Sequence, residues 1–176
     1  MKFIALPLAG AFVVETEPVM DERGFFARTF CSREFAARGL ESQFAQCSVS
    51  YNKFSGTLRG MHYQKAPHEE AKLVRCTMGA IHDVIVDLRR ESPSFRRWAA
   101  VELSAANHKA LYIPRGLAHG FLTLADDTEV NYQMSVAFHA ESAAGVRWDD
   151  PAFGIEWPGK VSAISDRDRE YPDFPR

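Results

Sequence analysis

An all-β sandwich or barrel is the fold class that this sequence predicts, and three observations predict it. Short apolar and β-branched runs recur along the chain, turn-forming and charged clusters separate them, and only one segment patterns as a helix. Taken in order, residues 11–14 bring Phe12, Val13 and Val14, and residues 24–30 bring Phe25, Phe26 and Phe30. Ser32 can then cap a short peripheral helix in which Phe35 and Ala36 face inward and Gly39 closes the C-terminus. Runs 44–50, 56–64, 71–77 and 80–88 follow, the last rich in Ile and Val, and runs 97–103, 110–113, 117–124 and 129–138 complete the set. Breaks fall at 52–55, 65–69, 90–94, 114–116 and 126–127, where turn-forming and charged residues cluster. No linker or repeat divides the chain, so residues 1–176 are expected to form a single domain. The tail after Asp149 is irregular in pattern, yet Phe153, Ile155 and Trp157 make it too apolar to be left in water. It is expected to pack back over the barrel.

Composition narrows the function. A formal net charge of −2, a pI near 6.3 and dispersed Lys and Arg residues give no electrostatic reason to expect a nucleic-acid partner. The apolar run in residues 1–10 is interrupted by Pro7 and followed by Glu15 and Glu17, so neither an export signal nor a membrane span is expected. A span needs about 20 apolar residues. Cys31, Cys47 and Cys76 are odd in number and lack paired metal spacing, which suits reduced thiols and a cytoplasmic protein.

The run from Gly56 to Gln64 is the most informative stretch, because it sets Arg59 and His62 beside two glycines inside a strand-forming segment. Glycine weakens a strand unless the backbone must bend or a ligand must come close. Strict alternation puts Thr57, Arg59, Met61 and Tyr63 on one face and Leu58, Gly60, His62 and Gln64 on the other, unless a bulge intervenes. Other polar residues inside strand-like runs are Lys72, Asp83, Asp87, His119 and Tyr132. A base, a cation and an acid on inward faces of one scaffold are the equipment for removing a proton next to a carbonyl. The same residues also fit a structural ion-pair network.

Pro114-Arg115-Gly116-Leu117-Ala118-His119 resembles the second cupin motif, Pro-x-Gly-x-x-His. Metal-binding cupins supply further ligands from an earlier strand as His-x-His-x-x-x-x-Glu, and here those positions read His62-x-Gln64 followed by Glu69. Gln replaces one imidazole, and a transition-metal site needs at least three good protein ligands. A metal-dependent oxygenase or isomerase built on His62, Glu69 and His119 is therefore the second reading, and no metal is expected. A non-catalytic sugar-nucleotide binding domain is the third.

Over nearly the whole chain the sequence resembles the dTDP-4-dehydrorhamnose 3,5-epimerase family of nucleotide-sugar epimerases. The resemblance rests on residues 21–26, 56–64, 71–74, 83–89, 92–93, 103–105, 113–121 and 148–151, in that order and at that spacing. It implies a cupin-like jelly roll with a few short peripheral helices, a homodimer, no cofactor, and epimerisation at C3, C5 or both of a dTDP-activated 4-keto-6-deoxy-hexose through an enolate. It further implies His62 as catalytic base with Asp168 as its acidic partner, Lys72 as the enolate-stabilising cation and Tyr132 as the returning acid. Asp166 is the alternative partner for His62. Arg23 matches an arginine that reaches the diphosphate across the dimer interface, with Phe26 alongside. Gln46, Ser48, Arg59, His119 and Arg167 match further substrate contacts. Arginine suits such work because its planar fork binds phosphate oxygens bidentately.

Four positions depart from the family pattern. Arg28 stands where Glu is usual, Ser48 where Asn is frequent, Ala143 where Glu is usual, and Phe138 where Tyr is usual. The first three bear on recognition of the nucleotide and the sugar. Phe138 removes a hydroxyl near the proposed acid, which favours a mono-epimerase.

Overall fold

Period-two alternation gives each long strand one apolar face, and the chain buries those faces by stacking two antiparallel sheets. Residues 1–175 are described by this computed structural model. The first sheet runs β1 (Lys2–Ala5), β2 (Phe12–Glu15), β10 (Ala110–Ile113), β7 (Lys72–Met78), β12 (Thr128–Met134) and β5 (Gln46–Asn52). The second runs β13 (Ala143–Gly145), β6 (Leu58–Gln64), β11 (Leu117–Thr123), β8 (Ala80–Asp87) and β9 (Trp98–Ser104). From β5 onward every connection except β8–β9 crosses between the sheets, which is a cupin-like jelly roll. A detached hairpin joins β3 (Val19–Asp21) to β4 (Gly24–Phe26), and two short helices, α1 (Ser32–Ala36) and α2 (Asp166–Arg169), lie outside the sheets.

Three apolar clusters hold the layers together. Val74, Cys76, Ile81, Ile85, Leu111, Ile113, Phe121 and Val130 fill the space between the sheets. Fully buried Phe35 of α1, with Phe3, Phe30 and Phe44, covers the outer face of the first sheet. The C-terminal tail covers the second sheet, setting Phe153, Ile155, Trp157 and Phe174 over Met61, Val84, Val86 and Ala118. Each large side chain so buried contributes about 1.5–3 kcal/mol.

The expected alternation of β6 fails at one place, and that place builds the site. His62 pairs with His119 and Arg59 with Phe121, so Gly60 and Met61 together stand opposite Gly120. This bulge restores Arg59 to the same face as His62, the reverse of what strict alternation predicts. Glycine is required on both sides. Gly60 has φ +126°, and a Cβ there would lie 2.5 Å from the Gly120 Cα; one at Gly120 would lie 2.6 Å from Met61 Sδ.

Several other expectations shift. Ser32 is the first residue of α1 rather than its cap; Cys31 takes the cap position without a side-chain bond, because the Phe35 N–H bonds the Cys31 carbonyl. Ala36 is exposed, since so short a helix buries only Phe35. The run 24–30 is strand only through Phe26, after which Phe30 leaves to pack on Phe35 and Phe44. β1, β3 and β13 were not legible as strands, and the tail contains α2 as well as irregular chain. The tail is pinned to the start of β6 by a parallel bridge between Thr57 and Ala163 and by Leu58 N–H donating to the Ala163 carbonyl at 2.8 Å.

A Gly60→Ala substitution therefore forces both a strained φ and a backbone clash. It should lower unfolding stability by at least about 2 kcal/mol in urea titration; a loss below about 0.5 kcal/mol would show that the bulge relaxes freely.

Candidate active site

Three adjoining hollows meet at His62. One of about 300 Å³ is lined by Ser48, Arg59, His62, Lys72, His119 and Tyr132. A second of about 200 Å³ adds Glu70, Phe138, Ala143 and Arg167 to His62 and Lys72. The third, of about 350 Å³, joins Arg59 and His62 to Arg167 and Asp168. The jelly roll presents these groups from both walls: His62 and His119 belong to the second sheet, Lys72 and Tyr132 to the first.

His62 Nε2 lies 2.7 Å from Asp168 Oδ1, while the other carboxylate oxygen accepts the Gly60 N–H at 3.1 Å. Of the two tail aspartates, Asp168 is thus the one beside His62, and Asp166 is exposed. Ser165 caps α2 by accepting the Asp168 N–H at 3.1 Å, which fixes the carboxylate on its helix. Burial works to raise the Asp168 carboxyl, but the hydrogen bond and charge of His62, the Gly60 N–H and the Ser165 contact outweigh it and hold it below the ordinary aspartate value. A carboxylate at Nε2 keeps the proton on that nitrogen and leaves Nδ1 as the lone-pair nitrogen.

Lys72 is buried, forms an ion pair with Glu70 at 3.0 Å and donates to the His62 carbonyl at 3.2 Å. Tyr132 lines the same cavity as His62, from the opposite sheet. Burial raises its phenol well above the ordinary range, the nearby Asp83 charge adds to this, and Arg59 opposes it. The group therefore keeps its proton near neutrality and can give it up only to a strong base. His119 Nε2 lies 2.6 Å from Asp83 Oδ1, a second His–Asp pair and a fully buried one, with its ring 5.8 Å from that of Tyr132. Asp87 does not join the site. Burial pushes its carboxyl up, but Arg89, Ser92 and Ser94 together bring it down to about 2, and it anchors the loop after β8.

Arg59 is aimed into the cavity by its Nε, which donates to Asn52 Oδ1 at 2.6 Å. Gln46 lines none of the three hollows and accepts the Phe138 N–H at 2.9 Å. Arg23 and Phe26 lie apart from the cavity of their own chain: Arg23 pairs with Asp21 at the hairpin tip, and Phe26 is 80% exposed. Arg28 pairs with Glu34 at 3.0 Å. Two contributors escaped the sequence reading, Asn52 and Glu70. Glu70 had a signal, since it shares strand parity with Lys72 two residues on.

The donor set for a metal does not assemble around His62. Asp168 and Asp83 occupy the Nε2 atoms of His62 and His119, and Glu69 lines a different cavity, beside Arg89 and Gly116. Gln64 is a staple instead. Its amide donates to the His68 and Ala137 carbonyls at 2.9 and 3.3 Å and accepts the His139 N–H at 2.6 Å. Among the described residues, the three donors that do gather are His68, His139 and Glu141. The two imidazoles stack 3.6 Å apart at 7°, so their lone pairs run parallel rather than converging on one ion.

Comparison with known proteins bears on the fold and the family. Residues 5–175 match the family model described as dTDP-4-dehydrorhamnose 3,5-epimerase. A relative of that name from Methanothermobacter thermautotrophicus is 42% identical, over 97% of this chain and 92% of its own. The Bacillus anthracis dTDP-4-dehydrorhamnose 3,5-epimerase, solved with TDP and PPi bound, superposes with a TM-score of 0.94 at 40% identity, covering 98% of this chain and 99% of that one. A 3'-monoepimerase from Streptomyces bikiniensis, in complex with dTDP-quinovose, gives 0.88 at 36%, covering 96% and 85%. Fold and site thus define an isomerase, a sugar epimerase on a jelly-roll scaffold. The chain belongs to the dTDP-4-dehydrorhamnose 3,5-epimerase family.

The lowered Asp168 value has a sign that can be tested. The unfolded chain takes up the proton at about pH 3.9 and the folded chain only at lower pH, so the contribution is complete above about 3.9 and is lost as pH falls through the folded value. Urea unfolding of wild type and Asp168→Asn should differ at pH 7, and the difference should shrink steadily below pH 4; a pH-independent gap would contradict this.

Proposed function

We propose that the chain epimerises a dTDP-activated 4-keto-6-deoxy-hexose at C3, C5 or both, through an enolate. The observation that carries this reading is that an Asp-backed histidine and a partly buried phenol line one cavity from opposite sheets. Inversion at carbon needs that arrangement, because the proton must leave from one face and return to the other. His62 Nδ1 takes the proton next to the C4 carbonyl, the electron pair moves onto the oxygen, and the Lys72 ammonium stabilises the enolate. Tyr132 then donates its proton to the opposite face of the same carbon. Its raised value suits a phenol that holds its proton until a carbanion-like centre is there to receive it. Arg59, His119, Ser48, Gln46 and Arg167 serve substrate binding. The TDP and PPi of the Bacillus anthracis relative support a thymidine diphosphate as the activating group.

Phe138 favours a narrower outcome within this class. It lines the hollow shared by His62 and Lys72 and brings no hydroxyl there, which leaves Tyr132 to return a proton at one carbon only. The 3'-monoepimerase relative gives this second reading a precedent.

A homodimer in a single-domain, cytoplasmic setting completes the proposal. Val19, Met20, Phe25 and Phe26 are exposed on the β3–β4 hairpin beside Arg23, an apolar surface that a second copy would cover while Arg23 reached the neighbouring diphosphate. The three unpaired thiols suit a reducing compartment.

Solvent-deuterium exchange into dTDP-4-keto-6-deoxyglucose tests the chemistry. His62→Ala should abolish exchange, and Lys72→Met should cut turnover by roughly a hundredfold, the worth of one oxyanion-stabilising group. Undiminished exchange in His62→Ala would end the epimerase reading. Label at C3 alone would identify a mono-epimerase.

The dimer is tested by mixing. An Arg23→Ala chain and a His62→Ala chain, each nearly inactive, should regain partial activity in hybrid dimers. No recovery despite demonstrated subunit exchange would place Arg23 outside the partner's site.

A further inference from the structure

We infer that Glu70 is the positioning residue for Lys72, an assignment that rests on the epimerase reading above and extends it to a side chain with no role there. The Glu70 side chain is 6% exposed and that of Lys72 10%, and the carboxylate Oε1 lies 3.0 Å from the ammonium. Its second oxygen, Oε2, is buried without a hydrogen-bond partner. A carboxylate buried in this way is costly unless a charge compensates it, and Lys72 is the cation in contact with it. Packing alone gives no reason for a carboxylate here, because an apolar side chain of the same size would avoid the unpartnered oxygen. The reason lies in what Glu70 does to its neighbour.

Lysine carries its charge on a flexible four-carbon stem with three freely rotating donors. Left alone, such a group samples several positions, and an electrostatic contribution to a transition state depends on its being in place beforehand. Here the ammonium is held from two sides, by the Glu70 carboxylate at 3.0 Å and by the His62 carbonyl at 3.2 Å. The second contact ties the cation to the residue that carries the base, so base and cation are spaced by one short link. Both line the hollow of about 200 Å³ that Glu70 itself helps to close. Glu70 touches no reacting atom. It acts through the ammonium, and the position of an acceptor matters more to that task than its full charge.

The experiment measures kcat and KM for deuterium exchange into dTDP-4-keto-6-deoxyglucose, with thermal midpoints recorded alongside. Glu70→Met, which removes the acceptor, should lower kcat at least about tenfold while KM stays within about twofold. Glu70→Asp, which keeps the charge but draws it back by one methylene, should lower kcat in the same direction. Glu70→Gln keeps an acceptor in place and should remain within about threefold of wild type. In a Lys72→Met background, Glu70→Met should cost nothing further. Wild-type kcat in Glu70→Met or Glu70→Asp, a loss carried by KM, or a full additional loss on Lys72→Met would each overturn the assignment. Glu70→Asp keeps the test decisive if Glu70→Met does not fold. Absence of exchange in the wild type overturns the epimerase reading and this role with it, whereas exchange in wild type with unaltered Glu70 variants overturns the role alone.

Discussion

One extra residue in β6 sets the geometry on which the site depends. Without the bulge, Arg59 and His62 would project to opposite faces, and one of them would point into the apolar layer beneath the tail. With it, both enter the cavity, Met61 turns outward into the core, and the Gly60 N–H is free of the ladder to bond Asp168. The two glycines that face each other there are a steric necessity rather than a flexible joint. A single irregularity thus orients two cavity groups and supplies a hydrogen bond to a third.

The second constraint is the distribution of polar groups between the walls of the jelly roll. His62 and His119 each have a carboxylate, Lys72 has Glu70, and Arg59 has Asn52. Every pairing desolvates both partners, so none is a plain gain in stability; their common effect is to hold titratable groups in one orientation. The Gln64 staple belongs to the same economy of fixed positions. Its carboxamide joins the loops of His68 and His139 where a metal-binding cupin would offer a ligand, and that converts a coordination position into a structural one.

Much of this was legible in the sequence because period-two alternation is a direct image of a two-layer fold. β8 reads Ile81, Asp83, Ile85, Asp87 on one face, and both the core and the polar intrusion can be seen in that alternation. The His62 strand was visible from its glycines, and Lys72, His119 and Tyr132 from their place as polar residues in strand-like runs, whereas Asp168 and the separate roles followed from the resemblance. What stayed hidden depends on contacts distant in the chain. The parity of Arg59 is decided by Gly120 on another strand, and α2 by a four-residue segment too short for periodicity. β1 and β3 are strands only because partners lie beside them; Val19 and Met20 carry no burial pattern at all. The capping error at Ser32 is of the same kind, since a helix this short takes its limits from where Phe35 can be buried.

The docking of the C-terminal tail separates two properties that usually travel together. No residue beyond Tyr132 contributes to the cluster between the sheets, whereas the partner of His62 lies 106 residues away, on α2. Peeling the tail away would therefore leave the inner sandwich largely intact while stripping the histidine of its carboxylate and opening the outer layer over Met61. Such a sub-global opening would cut through the middle of the candidate site. In a chain made from its N-terminus, the barrel can close first, and the carboxylate beside His62 arrives last, when Ser165 and Asp168 reach β6.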